Sequence, residues 1–272
     1  MPDAPAARVE LTVSEGVAHL RLVRADARNA IDRAMVDALE RAASTCAHDP
    51  DVRALLITAA GPSFTVGGDL DHLYGALERL PTELDEMIAT FHRALVRLAD
   101  LAVPVVCAVQ GAAAGGGLGL LWCADVVIAA EDAKLVAGFA ELALSGDGGS
   151  SWFLPRVIGL RRAQEMMLGN RALSATEAAE WGLVNQVVPA DRLTEQARRI
   201  ARELAAGPTA AYGEMRRLLR RAFCTSLDDQ LEAERRAMVR CADTADAREG
   251  ITAFGERRAP TFAGHDRAPT DA

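Results

Sequence analysis

Residues 103–119 read Val103-Pro104-Val105-Val106-Cys107-Ala108-Val109-Gln110-Gly111-Ala112-Ala113-Ala114-Gly115-Gly116-Gly117-Leu118-Gly119. The β-branched opening predicts a buried strand over 103–109, and the glycine loop 111–117 delivers it to a helix beginning near Leu118. No charged residue falls between positions 101 and 124, which meets the length rule for a membrane span. Pro104, Gln110 and the glycines at 111, 115, 116, 117 and 119 interrupt that run, so strand, glycine turn and buried helix explain it better.

Working outward, residues 9–13 and 17–23 are short and β-branched about Glu15-Gly16, which predicts a hairpin. Residues 31–47 carry apolar positions at helical spacing (Ile31, Met35, Leu39, Ala42), with Asn29 placed as cap and Asp49-Pro50 as stop. Residues 52–58 form a second buried strand ending in Ala60-Gly61-Pro62-Ser63, so the unit is β-α-β. Residues 70–98 are polar and helical, broken by Pro81; they predict a mobile connection leading into a helix with Phe91 and His92, placed as a lid over any pocket below. Residues 125–130 are a third strand, and a second glycine-rich loop, Leu144-Ser145-Gly146-Asp147-Gly148-Gly149-Ser150-Ser151, precedes another helix start. Beyond Arg161 the chain is helical over 163–168, 175–182, 191–206, 209–224, 227–241 and 247–254, and residues 260–272 are expected to fray. The repeated strand, glycine loop, helix order predicts an α/β core with ligands at the strand carboxyl ends, followed by a helical tail.

Composition narrows the function classes. The 272 residues are 50% apolar and 25% charged, which excludes disorder, collagen and coiled coil. A net charge of −8 with no run of basic residues argues against nucleic acid. Lys134 is the sole lysine and thus the one Schiff-base candidate. The five cysteines are odd in number and lack a C-x-x-C pair, which suits reduced thiols in a cytoplasmic protein, and positions 1–20 carry no secretion signal. The histidines show no ligand spacing, so no metal is expected. No G-x-x-x-x-G-K-[ST], H-E-x-x-H or G-x-S-x-G occurs, and Leu120 spoils G-x-G-x-x-G.

Two glycine loops remain, Phe64-Thr65-Val66-Gly67-Gly68-Asp69 and Ala114-Gly115-Gly116-Gly117-Leu118-Gly119, each ending a strand and opening toward a helix. Glycine there leaves backbone N–H groups unobstructed, and two such donors meeting on one oxygen would make an oxyanion hole. Taken singly, each loop is also explained as a tight turn packing helix on strand.

These loops resemble the crotonase, or enoyl-CoA hydratase/isomerase, superfamily, and the resemblance extends over residues 9–262. It is carried by Arg28-Asn29-Ala30, Ser63 with the first loop, Pro104 through Gly117, Asp125, Leu154-Pro155-Arg156-Val157-Ile158-Gly159, Leu173-Ser174-Ala175, Trp181-Gly182-Leu183-Val184 and Phe254-Gly255-Glu256-Arg257-Arg258-Ala259-Pro260-Thr261-Phe262. It implies a spiral of β-β-α units over residues 1–205 holding an acyl-CoA site, and a helical trimerisation region over 206–272. The partner implied is an acyl-CoA thioester, with coenzyme A as part of the substrate, no covalently bound cofactor, no membrane, and a homotrimer or dimer of trimers. The thioester carbonyl is implied to sit between the N–H groups of Gly68 and Gly116, with Val66, Gly67, Phe139 and Glu141 against the substrate.

The chain departs from the family where hydratases carry two glutamates: Gly119 and Phe139 hold those positions, and neither moves a proton. On an extended segment Glu141 falls on the face of Phe139, toward the rim. Asp147 resembles the catalytic aspartate of the dienoyl-CoA and ring-opening isomerases, and one carboxylate suffices for a 1,3-proton shift; the competing role is N-cap of the following helix. His92 with Asp147 is also similar to the nucleophile and water-activating pair of the 4-chlorobenzoyl-CoA dehalogenase branch, with His92 as a surface or lid histidine the alternative. Arg24, Ala25, Ala27 and Arg28 resemble the segment lining the CoA arm, and Arg257 or Arg258 is a phosphate candidate. A third class, a non-catalytic RNA-binding relative, is disfavoured by the net charge.

Overall fold

The computed structural model describes residues 7–264. Strands β1 (Val9–Ser14) and β2 (Val17–Leu22) pair antiparallel from Val9 opposite Leu22 to Ser14 opposite Val17. Their turn residues Glu15 and Gly16 both have positive φ, the type I′ geometry whose twist matches a two-residue hairpin. Helix α1 (Arg33–His48) then leads to β3 (Ala54–Ala59), which lies parallel to β2. Asp32, not Asn29, caps α1, accepting the Met35 N–H at 2.8 Å. Asn29 fails as a cap because it is itself left-handed and wholly buried, its amide donating to the carbonyls of Ala60 and Ser63.

Helix α2 (Leu70–Gly75), a 3-10 turn and the long α3 (Leu80–Asp100) follow. Pro81 therefore starts a helix rather than breaking one: in the first turn its missing N–H has no bond to lose. Next come β4 (Val105–Val109), β5 (Ala112–Ala114), the short α4 (Gly119–Trp122), β6 (Val126–Ala130) and β7 (Lys134–Val136). Residues 112–114, expected as loop, are thus a strand. Helix α5 (Ser150–Leu168) changes direction at Gly159, whose φ of 78° and ψ of 157° interrupt it. Strand β8 (Leu173–Ser174), α6 (Ala175–Trp181), β9 (Gln186–Val188) and helices α7 (Leu193–Ala205), α8 (Thr209–Arg221), α9 (Leu227–Ala242) and α10 (Ala245–Glu256) complete the described chain.

The strands form a six-stranded sheet of order β1-β2-β3-β4-β6-β9, parallel beyond the first pair, and a second sheet of order β5-β7-β8. The chain steps from the large sheet to the small one after β4 and β6, and Thr65, after β3, bridges Ala113 of β5 in the same way. Each step is one β-β-α turn of a spiral. Strands β3 and β4 are buried on both faces: Leu55, Ile57, Val105 and Cys107 join the core containing α1 and α3, whereas Leu56, Val106 and Ala108 meet Ala197 and Ala201 of α7.

No helix among the described residues is long and apolar enough to cross a membrane. Arg216 of α8 ties the helical tail to the core, bonding Asp125 at 2.9 Å and the carbonyl of Leu101. Residues 260–264 do not fray: Asp246 accepts the N–H groups of Ala263 and Gly264, and Arg53 donates to the Phe262 carbonyl. The rest of the expected frayed tail, 265–272, lies outside the described residues. Burial pushes the thiols of Cys46 and Cys123 up, to about 11 and about 12, so both stay protonated at neutral pH.

Candidate active site

The three glycine-rich turns that end the spiral steps lie together. Gly67 has a φ of 83°, and a Cβ built on it would stand 2.9 Å from the Ala114 carbonyl, so the two loops touch backbone to backbone. Thr65 locks the first loop: its Oγ donates to the Asn29 carbonyl at 2.7 Å and accepts the Gly67 N–H. The N–H of Gly68 has no hydrogen-bond partner among the described residues. Gly116 stands second in the 3-10 turn Gly115–Leu118, where the N–H lacks an intrahelical partner. Gly68 and Gly116 line one cavity of about 400 Å³ with Val66, Phe139, Glu141 and Asp147, walled by Leu73, Met87 and Phe91.

Asp147 lies directly on Gly116. A Cβ at Gly116 would be 2.4 Å from Asp147 Oδ1, a contact only glycine permits. That Oδ1 is buried and has no hydrogen-bond partner among the described residues. Burial pushes the Asp147 carboxyl above the usual carboxylate range. Its side chain does not cap α5, whose N-cap is Gly149 with no side-chain bond. Gly148, with a φ of 60°, packs on the Gly116 carbonyl.

A second, wider cleft of about 840 Å³ adjoins the cavity along Val66, Gly68 and Leu70 and is lined by Arg24, Ala27, Arg28 and His72. An apolar cavity opening on a charged cleft suits an elongated ligand with an apolar end and an anionic one.

Comparison with known proteins shows the family. Residues 12–265 match the enoyl-CoA hydratase/isomerase family model. The chain belongs to that family. Across 93% of this chain and 97% of the relative it is 39% identical to the 1,2-epoxyphenylacetyl-CoA isomerase of Escherichia coli K12. It is 31% identical to a 4-chlorobenzoyl coenzyme A dehalogenase of an Arthrobacter species, over 81% of this chain and 80% of that one. The crystal structure of an enoyl-CoA hydratase from Polaromonas sp. JS666 superposes with a TM-score of 0.89 at 31% identity, covering 93% of this chain and 99% of that one. The fold is the crotonase spiral, and the chain is an acyl-CoA enzyme of the enoyl-CoA hydratase/isomerase family.

Within that frame some expected site residues are placed otherwise. Gly67 lines neither cavity; its N–H is spent on Thr65. Ala25 packs beneath Gly61 instead of facing the cleft. Arg24 does line the cleft, but its guanidinium bonds Asp69 and the Ala30 carbonyl, while Arg28 makes no ion pair among the described residues. Arg258 is held by Glu249 and Glu256. His92 does not line the cavity; its Nε2 accepts the Gly148 N–H at 3.2 Å. Phe139 and Glu141 do line it, but Phe139 is the N-cap of the 3-10 turn Ala140–Leu142 and Glu141 lies within that turn, so the segment is not extended.

Glu141 is tied down by Asn170, which with Arg171 belongs to the likeness to the dehalogenase branch but to which the sequence assigned no role. Asn170 donates to Glu141 Oε1 and accepts the Gly138 N–H, both at 2.7 Å. Locally, Gly169-Asn170 after a helical run marks a helix end. Glu83 was missed by the sequence reading. It has no exposed surface, and its Oε1 accepts from Arg33 and His72. The His72 and Arg33 bonds hold its carboxyl below the usual range. Through His72 it fastens α2 to α3 over the cavity. Gly119 has no room for the hydratase glutamate, because a Cβ there would lie 2.7 Å from the Gly148 carbonyl and 2.6 Å from Leu95.

Proposed function

We propose that this enzyme isomerises an acyl-CoA thioester through an enolate, moving a double bond or opening a ring in an enoyl- or aryl-acetyl group. The supporting observation is the buried Asp147 Oδ1, without a hydrogen-bond partner among the described residues, against Gly116 at the wall of the apolar cavity. In this reading the thioester oxygen lies between the N–H groups of Gly68 and Gly116, each contributing about 3 kcal/mol as negative charge develops. The Asp147 carboxylate takes a proton from a carbon of the acyl chain, the enolate is held by the two amides, and the same carboxyl returns the proton to another carbon. Its raised pKa suits both directions of transfer, because the carboxyl is a stronger base when ionised and is more readily kept protonated. Two-glutamate addition of water has no support here: Gly119 and Phe139 hold no proton, and Glu141 is bound by Asn170. Arg28 and the cleft suit the CoA moiety.

Hydrolytic dehalogenation would require the His92 lone pair to take a proton from water, and that lone pair accepts the Gly148 N–H. The test is solvent-deuterium incorporation at the α-carbon of phenylacetyl-CoA, together with interconversion of 2- and 3-hexenoyl-CoA, in the wild type and in Asp147→Asn. Exchange abolished by the substitution, with thioester binding retained, is the expected result. Unchanged exchange in Asp147→Asn, or chloride release from 4-chlorobenzoyl-CoA, would overturn it.

A further inference from the structure

Accepting Asp147 as the proton carrier, we infer that His92 is a positioning residue: its Nε2 holds the Gly148 N–H and thereby keeps Asp147 and Gly116 in register, without handling proton or water itself. The direction of the bond is decided by its donor. A backbone N–H only donates, so the Nε2 it reaches at 3.2 Å is the acceptor of this bond. The histidine that could serve as a base has already committed that lone pair.

Packing around Gly148 explains why one such bond reaches the chemistry. A Cβ on Gly148 would come within 2.4 Å of the Gly116 carbonyl, and one on Gly116 within 2.4 Å of Asp147 Oδ1. Asp147, Gly148 and Gly116 are therefore in mutual contact with no slack. A displacement of Gly148 moves the carboxyl and the amide donor together. On the far side, the Gly148 carbonyl lies against Gly119, which Leu95 also touches. His92 and Leu95 are three residues apart on α3 and share one helix flank, so that flank supports the turn by a polar contact and an apolar one. Asp147 Oδ1 has no hydrogen bond among the described residues, and its position depends on its neighbours.

The experiment compares His92→Gln and His92→Ala with wild type in the phenylacetyl-CoA exchange assay, with Asp147→Asn as the control for the reading beneath it. Gln places an amide oxygen near the Nε2 position, where it accepts an N–H but cannot act as a base. Expected is exchange by His92→Gln within about twofold of wild type, and a fall of about tenfold in the maximal rate of His92→Ala with the half-saturating concentration unchanged, the kinetic equivalent of one lost hydrogen bond. The inference is overturned if His92→Gln falls as far as His92→Ala, if His92→Ala is unaffected, or if His92→Gln accumulates an aryl-enzyme ester with 4-chlorobenzoyl-CoA. Loss of the proposed function itself reads differently, as a wild type and an Asp147→Asn variant that exchange equally.

Discussion

Asp147 carries opposed consequences for activity and stability. Its folded-state pKa is raised, so between the unfolded and folded values the native state holds the extra proton, and stability declines as pH rises through that window. Asp147→Asn removes the buried charge at neutral pH. The variant is therefore expected to lose about 10²–10⁴-fold in turnover while melting above wild type at pH 7, measured by steady-state kinetics and calorimetry. In the wild type, the acid limb of kcat/KM is expected above the ordinary carboxylate range. Gly116 tests the same contact from the other side. Gly116→Ala sets a methyl 2.4 Å from Asp147 Oδ1, so the carboxyl must move, and a displacement of that order lowers kcat by about 10²-fold.

Among the elements, the walls of the cavity are held by side chains remote from the chemistry. Asn170 clamps the turn that presents Phe139, bonding Gly138 and Glu141 at once. Asn170→Ala frees that turn, and a rise in KM of about fivefold with a smaller change in kcat is expected from thioester titrations, since one or two hydrogen bonds of positioning are lost. Glu83 does for α2 and α3 what Asn170 does for the turn. Because its folded pKa is depressed, its stabilisation is present above the ordinary carboxylate range and is lost as pH falls through the folded value. Glu83→Gln is expected to lower Tm at pH 7, and the gap from wild type should close as thermal scans are repeated below about pH 4. A gap independent of pH would exclude the ionic account.

At the scale of the whole molecule, the tail beyond α7 leaves apolar side chains in water. Leu219, Phe223 and Phe254 of the α8–α10 region are 72%, 70% and 87% exposed. Exposed apolar side chains on these helices are candidates for an association surface, and the family resemblance implies a trimer or paired trimers. Sedimentation is expected to show an oligomer for the wild type and a smaller species for Leu219→Asp or Phe254→Asp; a monomeric wild type would remove this expectation.

The sequence alone determined the alternation of strand, glycine loop and helix, the hairpin at Glu15-Gly16, the doubly buried strands and the resemblance to the crotonases. The first three rest on chemistry acting within a few residues, positive φ at the hairpin turn, continuous β-branched runs and helical spacing, whereas the resemblance rests on motifs spread over residues 9–262. It misplaced the α1 cap because Asn29 is claimed by carbonyls 31 and 34 residues away. Only the tertiary structure decided which polar side chains remain available. Asn170 reaches Glu141 across 29 residues and His92 reaches Gly148 across 56, and both bonds engage groups that the sequence left as candidates for proton transfer. Asp147 kept an unpartnered oxygen because Gly116, brought against it by the spiral, has no side chain to offer and no room for one.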